Sequence, residues 1–382
     1  MKDNAEAVAH PAFAQLGGSD AGAYLDYAMK HDGDAWRGQQ IFHGSAGVSC
    51  VACHQVAGHG GIIGPDLTLA GQQFSRTELI ESILYPSKAI RDGYRQTLVA
   101  TTDGRELMGV ARSTAEGVTL TDLGGTATAI ATAQIKERRE QPTSLMPEGL
   151  HAALTVEQFA DVVAYMVTRK TDPRTEPAPP LPEGFTPLFN GRDLTGWRMS
   201  DLNRTHWAVK DGRLEHDGIA ADLWSECEFG DFTLLVEWRW PDAPVLTDQP
   251  VIAADGRTDG TIQRVLEAGD NGIYLRGMKK AQANLFCYPV GSGEFWEFRE
   301  DAAQPRDFAR TVTPKRHADS PVGDWNKMEI TVRGSTVDIT LNGQAIIHTT
   351  LPALPARGPT GFQHEHGRVQ FRTVGVKELP SP

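Results

Sequence analysis

The 382-residue sequence predicts two domains of different class: a mainly α domain with an inserted small β-sheet, then an all-β sandwich. Three observations predict it. Residues 171–184, TDPRTEPAPPLPEG, hold five prolines and no periodic apolar pattern, the signature of an extended linker. Tryptophan usage changes across that stretch: Trp36 precedes it, whereas Trp197, Trp207, Trp224, Trp238, Trp240, Trp296 and Trp325 follow. Apolar residues recur at helical spacing upstream and alternate with polar ones downstream. The expected division is an N-terminal extension at 1–32, the helical domain at 33–170, the linker at 171–184 and the sandwich at 185–380.

In chain order, DAWRGQQIFHG (34–44), RTELIESIL (76–84) and TVEQFADVVAYMVTRK (155–170) read as helices, the last with Thr155 as N-cap and Glu157 in its first turn. Between them, residues 94–136 break into β-rich runs at Asp103-Gly104 and Gly124-Gly125, which are hairpin signals. Downstream, DFTLLVEWRW, GIYLRG, KMEITVRGSTVDITLNGQAIIHTT and GRVQFRTVGVKEL alternate around turns such as Asn342-Gly343. Regularly spaced strands with almost no helical pattern make a sandwich.

A net charge of −12 with no basic footprint excludes nucleic acid as a partner. No run of eighteen apolar residues offers a membrane span. The opening MKDNAEAVAH lacks an apolar secretion core, so an export signal is either absent or already removed.

The stretch Ser49-Cys50-Val51-Ala52-Cys53-His54 matches the C-x-x-C-H pattern of covalent c-type haem attachment, with two thioether-forming sulfurs and a proximal imidazole. A zinc site would need a second ligand pair, and a thioredoxin-like site a βαβ context; the sequence shows neither nearby. One haem c per chain is therefore expected, and its assembly outside the cytoplasm makes a periplasmic or otherwise exported protein the expectation. Cys227 and Cys287 would then sit in an oxidising compartment, and both lie in apolar, strand-like contexts where a buried free thiol is common.

WRGQQIF, GPDL (64–67), SLMP (144–147) and FADVVAYM follow one another as in the cytochrome c fold. With DGYRQTLVATTDGRELMGV and SLMPEGL, residues 33–170 resemble the planctomycete-type haem-binding CxxCH domain. The resemblance implies Met146 as distal ligand, with His43, His59 and His151 as alternatives, and the Pro65 carbonyl as acceptor of the His54 ring N–H. Thioether opposite imidazole raises a haem potential and suits electron transfer.

EGFTPLFNGRDLTGWRM, WAVKDGRLEHDG, DNGIYLRG, GDWNKMEITVRGSTVDITLNGQ and GPTGFQHEHGRVQFRTVGVKEL resemble, in order, the 3-keto-disaccharide hydrolase domain family. The resemblance implies a concanavalin A-like jelly-roll sandwich that receives a sugar on one sheet. Cleavage of a 3-keto glycoside needs a base for the C2 proton, donors for the enolate oxygen and an acid for the leaving group. Alternation in GIYLRG puts Tyr274 and Arg276 on one face, with Arg276 placed to reach a sugar oxygen. In FQHEHGRVQFR it puts His364 and His366 together and Gln363 opposite. The family pattern there, Gln-x-His-Gly, has one residue fewer than Gln363-His364-Glu365-His366-Gly367, so either histidine is a candidate base, with His366 preferred because it precedes Gly367. The family's Asn-Ser-Gly is replaced by Asp270-Asn271-Gly272, leaving Asp270, Asn271 and the upstream Glu267 as candidates to face the sugar. Gln282 and Glu294 are further polar candidates, and Trp296 a ring on which a pyranose stacks.

Two functions follow. One is an exported enzyme acting on 3-keto glycosides, tethered to an electron-transfer haem served by a redox partner such as a sugar dehydrogenase or another cytochrome. The other is a cytochrome carrying a non-catalytic carbohydrate-binding sandwich. The sequence leaves open whether the sandwich also takes a divalent metal.

Overall fold

The structure is a computed structural model that describes residues 20–380 apart from 220, 254 and 306. Residues 1–19 of the expected N-terminal extension lie outside the described residues. Two compact units divide between Asp172 and Pro173.

In the first unit, polar caps start the helices where the sequence offers them. Asp34 accepts from the Arg37 amide at the head of Ala35–Phe42, and Ser75 and Thr155 each form a reciprocal capping box, with Glu78 and Gln158. The end of the expected extension supplies a helix of its own, Ala21–Lys30, whose Tyr24 and Ala28 share a core with Ile80, Phe159 and Val163. Helices Ala35–Phe42 and Val156–Thr168 cross at Gly38, where a side-chain carbon would sit 1.9 Å from the Asp161 carbonyl oxygen. The Asp161 carboxylate is buried at that crossing and accepts from the Asp34 amide at 2.7 Å and Arg37 Nε at 2.9 Å.

The expected mainly α class for this unit is corrected. Residues 95–144 form a five-stranded antiparallel sheet in the order 127–131, 117–121, 106–113, 95–101, 135–144, and strand nearly balances helix in the unit. The reason is local: Val99, Leu120 and Ile130 close a core of their own, so the alternating runs make an independent layer rather than an ornament on a helical core. Across the described residues, strand exceeds helix, and the molecule is dominated by its β-sandwich.

The second unit packs two antiparallel sheets face to face. The larger runs 207–210, 213–216, 369–378, 232–239, 326–333, 336–341, 344–350, with 186–187 joined to 369–378. The smaller runs 278–286, 270–275, 358–366, 223–229, 197–198. Leu234, Val236, Trp238, Ile330 and Ile339 from one meet Ile273, Leu275, Leu285 and Phe362 from the other. The Asn342-Gly343 turn has positive φ at both residues, 50° and 79°, which matches the twist of the hairpin it closes. A two-stranded ribbon, Val245–Pro250 with Ile262–Glu267, ends at Glu267 beside the smaller sheet.

The proline-rich stretch is tied along this unit rather than left as a free spacer. Trp325 Nε1 donates to the Pro173 carbonyl at 3.0 Å, Arg372 pairs with Glu176 at 3.1 Å, and Leu181 covers Gly375.

Gly38→Ala forces a methyl group into a backbone oxygen, and over-packing of this kind costs about 1–3 kcal/mol. Thermal unfolding of the first unit should shift to lower temperature, while Gly47→Ala, in open space at positive φ, serves as a control for strain alone. An unshifted Gly38→Ala transition would show that the two helices do not cross at van der Waals contact.

Candidate functional site

The outer face of the smaller sheet gathers the polar residues that the core cannot take. Along Asp270–Leu275, alternation sends Asn271, Ile273 and Leu275 into the sandwich and leaves Asp270, Gly272 and Tyr274 outside. Cross-strand partners share a face, so Gln282 joins Tyr274, Gln363 joins Gly272, and Trp224 enters opposite Gly361. Gly272 carries no side chain, and the Gln282 amide lies in the space above it, hydrogen-bonded to Gln363.

The extra residue of Gln363-His364-Glu365-His366 is a β-bulge. His364 pairs with Asn271 and His366 with Asp270, which leaves Glu365 without a partner in the register. The side chain of Asn271 accepts the stranded Glu365 amide at 3.2 Å. The expectation that His364 and His366 share a face is therefore corrected. His364 points into the sandwich, buried and stacked on His216 with ring centroids 3.8 Å apart, while His366 comes out beside Asp270. Burial holds the His364 imidazole below its ordinary pKa, and burial together with the facing His364 takes His216 down to about 3, so both rings are neutral at pH 7.

The acid–base groups converge at the bulge. His366 Nε2 lies 2.7 Å from Glu267 Oε1, and the other oxygen of Glu267 accepts from Thr247 at 2.8 Å and Gln249 at 3.1 Å. Tyr288 Oη donates to Asp270 at 3.4 Å. Burial raises the Asp270 carboxyl to about 6; the neighbouring carboxylates Glu365 and Glu267 add to the rise, and His366 and Tyr288 oppose it. Such a group is ionised at neutral pH yet far more basic than an exposed carboxylate.

Other candidates sit elsewhere. The Tyr274 backbone begins a register shift that breaks the alternation, and Arg276 has φ 48°. Its guanidinium turns away from the sugar-facing side, buried, donating to the carbonyls of Gly230, Gly334 and Pro355 at 2.7, 2.6 and 3.0 Å and to Asp231 at 2.8 Å. The catalytic expectation for Arg276 is corrected: every nitrogen of its buried guanidinium donates to a loop carbonyl or to Asp231. Glu294 is likewise buried in a pair with Arg299, and Asn271 is fully buried. Trp296 is 52% exposed on the short helix Trp296–Arg299 that packs on strand Met278–Phe286. Cys227 is exposed and Cys287 buried, and neither forms a disulfide.

Sequence reasoning missed Trp224, Asp222, Tyr288 and Glu365. Trp224 was legible from the alternation of DLWSECEF, since it sits between inward Leu223 and Ser225. Tyr288 follows its strand in an irregular segment, where no periodicity points outward.

In the first unit, His54 Nδ1 lies 2.9 Å from the Pro65 carbonyl, with Gly64 against its ring. Cys50 and Cys53 are half-buried, Met146 lies half-buried in the loop after strand Ile135–Ser144, and His151 is buried edge-on against Tyr24. His43 is half-buried, lowered to about 4 by burial and by His59. The haem c expectation is corrected. Among the described residues no group of three or more His, Cys, Asp or Glu side chains is placed to hold a metal ion, and the family match lies wholly outside residues 33–170. The electron-transfer role and redox partner that rested on the haem fall with it.

A family model described as "3-keto-alpha-glucoside-1,2-lyase-like domain" matches residues 184–377. No curated protein matches the chain. Among solved structures, a "putative glycosyl hydrolase" from Parabacteroides distasonis is 21% identical, with a TM-score of 0.35, covering 52% of this chain and 95% of its own. The carbohydrate binding module CBM66 from Bacillus subtilis is 17% identical, with a TM-score of 0.31, covering 48% of this chain and 97% of its own.

Arg276→Ala would take the buried guanidinium from three carbonyls and from half-buried Asp231, a loss on the order of a few kcal/mol. Urea unfolding of the second unit should shift accordingly to lower denaturant. A variant as stable as the parent would return Arg276 to the list of residues free to meet a ligand.

Proposed function

The chain belongs to the 3-keto-alpha-glucoside-1,2-lyase-like domain family over residues 184–377, and from that membership we propose that the outer face of the smaller sheet cleaves 3-keto glycosides. The observation that carries the reading is Asp270, a carboxyl raised to about 6 and flanked by the Glu267–His366 pair. A ketone at C3 acidifies the C2 hydrogen. Asp270 takes that proton, and the C2–H electron pair enters the C2–C3 enolate. The enolate then re-forms the ketone as C1=C2 is made and the C1–O bond breaks. His366, oriented by Glu267, gives a proton to the departing oxygen, which leaves as an alcohol. Addition of water across C1=C2 gives the free 3-keto sugar. The Tyr288 hydroxyl and the Gln282 amide are neutral donors suited to the C3 oxygen.

Asp270 works in its ionised form, so kcat/KM should fall as pH drops below about 6. Asp270→Asn should lower cleavage of a 3-keto-glucoside by about two to four orders of magnitude and abolish that limb. The measurement is release of the alcohol, with exchange of the C2 hydrogen in deuterated water reporting proton abstraction. Exchange that persists in Asp270→Asn would move the base to His366; no exchange in the parent protein would favour a sugar-binding sandwich that does no chemistry.

A further inference from the structure

The acid–base groups occupy only one end of the outer face. Asp270 and Tyr274 are four residues apart on one strand, which places their α-carbons about 13 Å apart. At the Tyr274 end the chemistry changes character. Trp224 and Tyr274 enter from opposite sides of Gly361 and stack over it, ring centroids 4.8 Å apart and planes 6° from parallel. Gly361 is what lets them meet, since a side-chain carbon there would come within 2.7 Å of the indole.

Polar groups rim this aromatic pair. Asp222 lies near the Tyr274 hydroxyl and pairs with Lys279 at 2.7 Å, and Lys279 Nζ stands 5.8 Å from the Tyr274 ring centroid. Asp222 and Lys279 cancel each other's charge, so the rim offers hydrogen bonds without a net attraction for anions or cations. Tyr274 is buried beneath its neighbours while Trp224 keeps part of its surface open. A half-exposed indole with a charge-paired acid and base at its edge fits one ligand chemistry well: a pyranose, apolar across its C–H face and hydroxylated at its rim. The linked amides of Gln282 and Gln363 floor the gap between the two ends.

We infer that Trp224, stacked on Tyr274 and rimmed by Asp222 and Lys279, forms a leaving-group subsite that holds a second sugar ring while the 3-keto ring lies over Asp270. This rests on the cleavage reading above. It goes beyond it by assigning recognition of the second ring to the far end of the sheet. Binding energy from that remote ring would position the reacting C1–O bond.

The test compares a 3-keto-glucosyl glucose with methyl 3-keto-glucoside and an aryl 3-keto-glucoside. Trp224→Ala should raise KM for the disaccharide about tenfold or more, leave kinetics on the methyl glycoside unchanged, and leave thermal unfolding close to the parent; Trp224→Phe should recover part of the loss. In a separate arm, calorimetric titration of Asp270→Asn with the disaccharide should show binding, and the further Trp224→Ala change should weaken it about tenfold or more. That arm decides the subsite even if the parent cleaves nothing, an outcome that sinks the cleavage reading alone. Equal losses on methyl and disaccharide substrates, unaltered disaccharide binding in Trp224→Ala, or a loss confined to the aryl glycoside would each overturn the sugar subsite.

Discussion

A single inserted residue decides what this sheet presents. Had Glu365 kept a regular place in the ladder, the period of two along Gly358–His366 would send His364 and His366 to the same side. The bulge resets the phase between them, so His364 is sealed into the sandwich and His366 stands beside Asp270. It also delivers Glu365 itself to the outer face, close enough to Asp270 to raise its carboxyl further. Asn271 holds the arrangement from below by accepting the Glu365 amide, which ties the strand of the base to the strand of the histidine. Every acid–base relation at the site descends from that local change of register.

What surrounds the bulge is built to keep charge on one side. Behind the sheet, His216 and His364 stack as neutral rings, with His216 Nε2 and His364 Nδ1 buried and without hydrogen-bond partners. In front, Glu267, Asp270 and Glu365 crowd three carboxyls around one imidazole. Carboxylates brought together and partly dried resist ionisation, which is the physical origin of a basic Asp270. The amides of Gln282 and Gln363 separate this cluster from the Trp224–Tyr274 pair, where charge is balanced and aromatic surface dominates. The same five strands thus carry a titratable end and an aromatic end.

Much of this was legible in the sequence, for identifiable reasons. The cap at Thr155, the Asn342-Gly343 turn and the alternation of the sandwich strands are local signals, and they placed many of the elements. Asp270, Glu267, Gln282, Gln363 and His366 were named as candidates largely through the family resemblance, and the structure brings them near one another on the outer side of the smaller sheet, Gln363 included although alternation had set it opposite His366. Arg276 and His364 were misread because each lies just beyond a break in register, and alternation carries no warning of a bulge. Glu294 looked available because its partner Arg299 is a helical turn away in sequence terms that no strand pattern shows. The first unit was read as mainly helical because apolar residues recur at helical spacing in it, whereas the core of its sheet rests on only Val99, Leu120 and Ile130.

The placement of Asp270 sets a cost against a use. Its folded pKa is raised above the value of an unfolded chain, so its contribution to stability is fully present below the unfolded value and is lost as pH rises through about 6. At the pH where Asp270 can act as a base, it therefore weakens the fold that holds it. The sandwich tolerates this because the strain sits on the outer face of a sheet whose inner face is closed by Ile273, Leu275, Leu285 and Phe362. A reactive carboxyl, an orphaned Asn271 amide nitrogen and two unpartnered imidazole nitrogens can persist together only above such a core. Stability is supplied by one face of the strand Asp270–Leu275, and the chemistry is carried by the other.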